Sequence, residues 1–349
     1  MRNRLLLLLP IAAALFCRAA SANLTNDQPG LQQIEAALTG RYQALTPGLE
    51  EKILALDPEH VTALDIREVL SNAPAPRIIM IQGGLLPVQV AMKSFSKLII
   101  GLGYPEWSAR NPADGQYSFS SFRNSSKTAG LIAGYYEKDG LRPMLLGHSL
   151  GGIQAVKVLQ ELAGESLSPP VVWNPLTQKP EARHTIRDPL TGQTRNITNL
   201  QVCYACTLAS GGLGRIIPNQ WGMNFRLRKI PGTVEEFTGF SIGLDIFGGD
   251  YLGFGPANLY HSDDQARVRN VRLPTGVNHW TVPLTEDLLQ DQTSLDWINN
   301  YSPDNPPSSD PAFKDNAHIL WAADVWHSIK RHWVIELQNF IRAKRAHTP

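Results

Sequence analysis

The sequence has almost no excess of charge of either sign. Its 32 Lys and Arg residues nearly balance its 31 Asp and Glu residues, which leaves a formal net charge of +1. Proteins that bind nucleic acid through its phosphates normally carry a basic surface, so the composition argues against a nucleic-acid partner. With 43% hydrophobic and 18% charged residues, the chain also differs from disordered and fibrous proteins.

Long apolar runs are scarce. The run at residues 5–16 is shorter than the ~20 residues that a membrane-spanning helix needs. It follows Arg2 and Arg4 and precedes the small residues Ala20, Ser21 and Ala22, which is the pattern of a secretory signal peptide. We therefore expect residues 1–22 to be removed, no membrane span to remain, and the mature protein to be periplasmic or secreted.

Cysteine is also scarce, with three residues in the chain. Cys17 lies in the predicted signal peptide, which leaves Cys203 and Cys206 for an oxidising compartment that favours disulfides. Residues 202–208 predict a buried strand, however, and two cysteines three positions apart on a strand lie ~10 Å from each other. Bridged cysteines need Cα atoms within about 7 Å, so we expect two buried thiols, with a strained local bridge as the alternative.

The rest of the chain alternates short apolar β-branched runs with helical patterns, which predicts a mostly parallel sheet of an α/β fold. Residues 23–76 predict a helical N-terminal segment, and residues 77–349 a single domain. Two polar, loop-rich insertions, at about residues 166–199 and 211–236, are expected to form a cap. Six segments are predicted as strands, at residues 77–81, 104–110, 143–146, 200–208, 240–246 and 267–273. Helices are predicted at residues 88–102, 121–138, after Gly152, and from Ala317 to about Lys344.

The pattern Gly147-His148-Ser149-Leu150-Gly151 stands between an apolar strand and a helical pattern. A Gly-x-Ser-x-Gly sequence alone is a weak signal, because small residues recur by chance. At a sharp turn from strand to helix the glycines have a physical role, since side chains there would collide with the neighbouring strand or helix. The context therefore predicts that Ser149 is a nucleophile.

Residues 143–152 resemble the nucleophile turn of lipases and esterases of the α/β-hydrolase superfamily. The resemblance is close only at this turn, whereas most of the mature chain shares the order of elements. It implies a three-layer α/β/α sandwich of about six strands and a serine, acid, histidine order along the chain. It also implies an oxyanion hole made by the backbone N–H of Leu150 and by a Gly-rich loop after an earlier strand. Gln82-Gly83-Gly84 matches that loop, and Gly84, or Leu85 if the loop is shifted by one, would be the second donor.

A serine hydroxyl needs a general base, and nine histidines are candidates. His148 adjoins the nucleophile, but its side chain cannot fold back onto Ser149. His318, His327 and His332 belong to the C-terminal helix, where packing or surface roles are expected. His279 follows the last predicted strand, which is where the resemblance places the base, and it is our predicted base.

The acid should follow the penultimate strand. The strand predicted at residues 240–246 ends in Gly248-Gly249-Asp250, so Asp250 is the predicted acid. Asp245 would lie inside that strand, and Asp263 and Asp264 are expected to be solvated or to cap a helix. Asp245 and Asp264 stay open as alternatives.

The aromatic residues of the insertions admit two interpretations. They either line an acyl pocket or only pack the insertions, and they are Trp221, Phe225, Phe247, Tyr251 and Phe254. No sequence cluster has the spacing of metal ligands, and we expect neither a metal nor a cofactor.

The sequence therefore predicts an exported serine hydrolase that cleaves a carboxylic ester, either small or lipid-like, through an acyl-enzyme. An acyltransferase with the same three residues and a non-catalytic binding protein of this fold are the alternatives. Pocket shape decides the acyl specificity, and the fold does not supply it.

Overall fold

A computed structural model describes residues 45–84, 86–166, 168–210, 226–248, 259–263, 265–274, 278–304 and 316–347. The strands in chain order are β1 (Ile78–Ile81), β2 (Met144–His148), β3 (Thr185–Arg187), β4 (Thr194–Asn196), β5 (Val202–Leu208), β6 (Lys229–Ile230), β7 (Val234–Ile242), β8 (His261–Ser262) and β9 (Arg267–Leu273). The α-helices are α1 (Pro47–Leu54), α2 (Ala63–Glu68), α3 (Leu86–Gly101), α4 (Glu106–Ala109), α5 (Ser125–Asp139), α6 (Leu150–Leu162), α7 (Gln292–Asn300) and α8 (Ala317–His347).

The central sheet has five strands in the order β1-β2-β5-β7-β9, and every neighbouring pair is parallel. This confirms the α/β class and the mainly parallel sheet. Because all five strands point the same way, their carboxyl ends meet at one edge, where ligands bind in open α/β sheets. The strand β2, which leads into Ser149, lies between β1 and β5 at this edge.

The sheet has one strand fewer than the six predicted. Residues 104–110, predicted as a weak strand, instead contain the short helix α4. The hydroxyl of Tyr104 donates to the carbonyl of Pro76, and the hydroxyl of Ser108 donates to the carbonyl of Ala75 at 2.9 Å. These bonds attach the segment to the residues just before β1. Tyr104 and Ala109 are therefore buried without joining the sheet.

Two apolar cores lie on the two faces of the sheet. Ile79, Ile81 and Leu145 belong to the core that contains α5 and α6. Their neighbours Ile78, Met80, Met144 and Leu146 belong to the core that contains α1, α3 and α8. Alternate residues of one strand therefore pack against different helices, which explains why β1 and β2 are apolar at nearly every position.

The long C-terminal helix predicted from Ala317 is confirmed as α8. Its indoles Trp321, Trp326 and Trp333 are fully buried, and they dominate the core on this face. Side chains of this size remove a large apolar area from water, so α8 contributes a major share of the stability of the sheet.

The two predicted insertions differ in how much of them the structure describes. Of the one predicted at about residues 211–236, residues 211–225 lie outside the described residues, and its last residues belong to β6 and to the central strand β7. The segment at 166–199 packs along α5. The backbone of Val171 and Trp173 lies against Gly130 of α5, and Arg183 pairs with Glu137 near its end. The described part of this segment is therefore a neighbour of α5, and the predicted cap stays a prediction.

Cys203 and Cys206 are buried on β5 and unbridged, as strand geometry predicts. Burial raises the pKa of both thiols, because a thiolate is poorly solvated in the core. The signal peptide and the helix predicted before residue 45 lie outside the described residues. Within the described residues, none of the helices combines the length and the apolar composition that crossing a bilayer requires.

Candidate active site

Ser149 occupies a strained turn between β2 and α6. Its backbone has φ 55° and ψ −122°, in a region that residues other than glycine rarely adopt. The N–H of Ser149 donates to the carbonyl of Leu208 at 2.8 Å, so the turn is fixed to the end of β5. Strain of this kind persists only where the surrounding structure imposes it, and it is concentrated at functional sites.

The glycines of the motif are required by packing. A Cβ atom on Gly147 would lie 2.5 Å from Cα of Gly152, and one on Gly151 would lie 2.5 Å from the carbonyl oxygen of Gln82. Neither distance is tolerated between nonbonded atoms. The two glycines therefore allow α6 to start directly against the ends of β1 and β2, which is the reason anticipated from the sequence.

His279 lies within hydrogen-bond reach of the predicted nucleophile. Its Nε2 is 2.7 Å from Oγ of Ser149, although the two residues are 130 positions apart in the chain. The imidazole is almost completely buried, with a side-chain exposure of 2%. Asn278 shapes the turn, because its side-chain oxygen accepts from the N–H groups of Trp280 and Thr281.

The carboxylate that contacts His279 belongs to Asp245, whose Oδ2 is 2.7 Å from Nδ1. Because an ionised carboxylate only accepts hydrogen bonds, Nδ1 carries the proton and Nε2 is free to accept from the hydroxyl of Ser149. Asp245 was left open as an alternative in the sequence, whereas the predicted acid, Asp250, lies outside the described residues and stays a prediction. The argument against Asp245 was wrong, because β7 ends at Ile242 and Asp245 lies in the loop after it.

The loop that contains Asp245 has a strained backbone and is closely packed. Leu244 has φ 62°, a left-handed conformation that is unusual for a branched residue. A Cβ atom on Gly248 would overlap Oδ2 of Asp245, the same oxygen that accepts from His279. The carboxylate is 3% exposed, so its position is set by packing and not by solvent.

The predicted oxyanion donors lie next to each other. Leu150 is the first residue of α6, and the first N–H groups of a helix have no acceptor within it. Gly84 lies close to Leu150, since a Cβ atom on Gly84 would lie 3.1 Å from the Leu150 side chain. Gln82, at the start of the same loop, accepts from the hydroxyl of Ser118 at 2.8 Å, and its N–H donates to the carbonyl of Phe119. The alternative donor Leu85 lies outside the described residues.

His148 is the residue of this site that the sequence did not single out beyond excluding it as the base. It is fully buried, and its Nε2 is 2.9 Å from the carbonyl oxygen of His279. Burial, reinforced by the neighbouring His279, lowers the pKa of His148 to about 3, so the ring is neutral at ordinary pH. The one sequence feature that could have indicated a role for His148 is its position directly before Ser149.

Large exposed apolar side chains lie beside this site. Phe122 lies against Gly84, and three more flank Asp245 in the chain. We call these four side chains the apolar rim, and its members are Phe122, Leu244, Ile246 and Phe247. The other large apolar side chains that are exposed among the described residues are Leu64, Val90, Leu259 and Leu284.

The aromatic residues predicted to line an acyl pocket are only partly described. Phe247 is in the described residues, is 46% exposed, and has its ring centroid 5.6 Å from that of His279. Trp221, Phe225, Tyr251 and Phe254 lie outside the described residues.

The other candidate groups have different partners. His332 pairs with Glu236, and His318 donates to the carbonyl of Val282. Asp263 forms an exposed pair with Lys229, whereas Asp264 lies outside the described residues. A search of the described residues finds no group of three or more His, Cys, Asp or Glu side chains placed to hold a metal ion.

Comparison with known proteins found no matching family model, and no curated protein or solved structure with significant similarity to the chain.

Proposed function

We propose that the protein is a serine hydrolase of the α/β-hydrolase type that cleaves carboxylic esters through an acyl-enzyme. The observation that carries the proposal is the continuous hydrogen-bonded line from Ser149 through His279 to Asp245, with 2.7 Å at each bond. A nucleophile, a base within reach of it, and a carboxylate that orients the base are the geometry that activates a serine hydroxyl.

In the proposed reaction, Oγ of Ser149 attacks the ester carbonyl carbon while Nε2 of His279 takes the hydroxyl proton. The negative charge that develops on the carbonyl oxygen is held by the N–H groups of Leu150 and Gly84. When the intermediate collapses, the leaving alcohol takes the proton from Nε2 and the acyl group stays on Ser149. Water then attacks the carbonyl carbon of the acyl-enzyme and gives its proton to Nε2. The bond between this carbon and Oγ breaks, Oγ takes the proton from Nε2, and the acid leaves, which restores Ser149 and His279.

Asp245 has two roles in this scheme. It keeps the proton on Nδ1, so that Nε2 is the accepting nitrogen, and it stabilises the imidazolium that forms after proton transfer. Both roles need a buried and fixed carboxylate, and the packing of Gly248 against Oδ2 supports this assignment.

Fold and chain order support the same proposal. The three groups occur in the order serine, acid, histidine, and each follows the carboxyl end of a strand: β2, β7 and β9. Helices on both faces of a parallel sheet are compatible with the three-layer sandwich that the resemblance implies. The order is the one used by α/β-hydrolases and differs from the orders of the unrelated serine proteases.

The apolar rim favours an ester with an apolar acyl group. Soluble proteins rarely gather large apolar side chains in one exposed region, and such regions mark sites that contact an apolar ligand or surface. Here Phe122 lies beside Gly84 and Phe247 lies beside His279, so an alkyl chain leaving the site would lie against the rim. The alternative of transfer to an alcohol uses the same residues and differs only in the acceptor of the acyl group.

Labelling with a fluorophosphonate tests the proposal. The wild-type protein should form a covalent adduct, and hydrolysis of p-nitrophenyl butyrate should fall by roughly 10⁴-fold or more in Ser149→Ala and His279→Ala. Ser71→Ala, which removes an exposed hydroxyl near α2, is the matched control and should label normally. An unlabelled wild-type protein, or equal labelling of Ser149→Ala, would favour the non-catalytic binding protein.

A further inference from the structure

The last residue of β2, His148, links the nucleophile strand to the backbone of the proposed base. Its Nε2 lies 2.9 Å from the carbonyl oxygen of His279, and a carbonyl oxygen only accepts, so Nε2 of His148 carries a proton. The two imidazole rings are 5.1 Å apart between centroids. The strand that ends at Ser149 therefore also provides a hydrogen bond to His279, the residue whose imidazole must contact Ser149.

We propose that His148 is a positioning residue for the base: its neutral Nε2–H fixes the His279 backbone so that the imidazole spans Ser149 and Asp245. This inference rests on the proposed hydrolase function. Three bonds then act on one residue, with His148 at its carbonyl, Asp245 at Nδ1 and Ser149 at Nε2. Together they restrict the translation and the rotation of the imidazole.

The other described tethers of the base loop lie further along the chain. His318 donates to the carbonyl of Val282, and the hydroxyl oxygen of Ser94 accepts from the N–H groups of Thr285 and Glu286. A shift of the loop at His279 would leave these bonds in place. The bond from His148 is the one described hydrogen bond to the backbone of the base residue, so its loss should displace the imidazole without detaching the loop.

The second ring nitrogen of His148 supports a role beyond filling space. Nδ1 is buried and has no hydrogen-bond partner among the described residues. An apolar side chain would avoid the cost of burying an unpaired polar nitrogen. Keeping a histidine here is explained by the donor that its other nitrogen provides. The ring must also stay neutral, because a second positive charge would oppose the imidazolium that forms on His279 during catalysis.

Two substitutions at the same position test the proposal. His148→Leu removes the donor, whereas His148→Gln keeps an N–H donor that is separated from Cβ by the same number of bonds as Nε2. We expect kcat of His148→Leu to fall roughly 10- to 100-fold with little change in KM, because a displaced base slows the chemical step more than it weakens substrate binding. His148→Gln should recover most of the loss.

The matched control is His332→Leu, which replaces another fully buried histidine, on α8 and paired with Glu236. All rates are expressed per active site, titrated with a fluorophosphonate, so that loss of folded protein does not count as loss of catalysis. His332→Leu should lower the melting temperature and leave kcat per site unchanged. His148→Leu with a wild-type kcat per site, or His148→Gln no better than His148→Leu, would overturn the positioning role. A wild-type protein that does not label would instead overturn the hydrolase proposal itself.

Discussion

Gly248 leaves no room for a side chain beside Asp245, because a Cβ atom there would overlap the carboxylate oxygen that accepts from His279. The overlapped oxygen is buried and is also bonded to the imidazole, so the carboxylate cannot swing aside without breaking that bond. The fit between these two residues makes the position of the acid depend on a glycine three residues further along.

We therefore expect Gly248→Ala to reduce kcat for p-nitrophenyl butyrate by roughly 10- to 1000-fold, since the base loses its orienting partner. Gly48→Ala is the control, because a Cβ atom at Gly48 in α1 meets no other atom within 4 Å. It should leave kcat unchanged and stabilise the protein slightly. Equal activity of Gly248→Ala and wild type would contradict the tight fit.

The proposal that Asp245 is the acid can be tested by comparing variants of Asp245 and Asp250. Asp245→Asn keeps the size of the side chain but cannot hold the proton on Nδ1 in the same way, so we expect kcat to fall roughly 10⁴-fold. Asp250→Asn should remain within a few-fold of wild type. Steady-state rates of the two variants, with circular dichroism spectra to check folding, decide between the two aspartates. A larger loss in Asp250→Asn would restore the choice made from the sequence.

The positions of the proposed nucleophile and the proposed base could be predicted because their signals are local. The packing of Gly147 and Gly151 requires a recognisable motif, and His279 follows a strand, β9, whose bounds the sequence predicts correctly. The proposed acid, Asp245, was only an alternative in the sequence because β7 does not look apolar at its start. Glu235 and Glu236 make the first half of the strand polar, so the predicted strand began late and ran past its true end.

Tertiary contacts explain how those two glutamates fit in the sheet. Glu235 pairs with Arg142, and Glu236 pairs with Arg331 and His332 of α8. These partners are distant in sequence, so no local pattern reveals that the charges are paired. The same limit applies to Tyr104, which is buried by packing against Trp326 and Trp333 and not by a place in the sheet.

The pairing of Glu236 predicts a pH-dependent contribution to stability. Burial alone would raise the pKa of this carboxyl, but its bonds to His332 and its cationic neighbours outweigh burial and lower the pKa to about 2, from an ordinary value of 4.5. A carboxyl whose pKa is lowered on folding contributes stability that is complete above its unfolded value. This contribution is lost as the pH falls from about 4.5 to about 2.

Glu236→Gln should therefore lower the free energy of unfolding at pH 7, by an amount on the order of 2–3 kcal/mol. The difference from wild type should shrink progressively below pH 4.5. Urea unfolding of both proteins at pH 7, 4 and 3 measures this difference in the free energy of unfolding. Glu68→Gln, at an exposed pair with Arg67, is the control and should show almost no difference at any of these pH values. A difference that stays constant down to pH 3 would mean that the charge of Glu236 is not what stabilises β7.

The apolar rim predicts how activity changes with acyl length. If the alkyl chain of the substrate lies against the rim, kcat/KM should rise from acetyl to longer p-nitrophenyl esters, because each buried methylene contributes about 0.8 kcal/mol. Phe122→Ser, on the side of the site formed by Gly84, should lower kcat/KM for a decanoyl ester by roughly tenfold and leave the acetyl ester nearly unchanged. Leu64→Ser removes another exposed apolar side chain, on α2, and should change neither. If activity is highest on the acetyl ester and Phe122→Ser affects all chain lengths alike, the rim does not bind the acyl chain, and specificity for short esters follows.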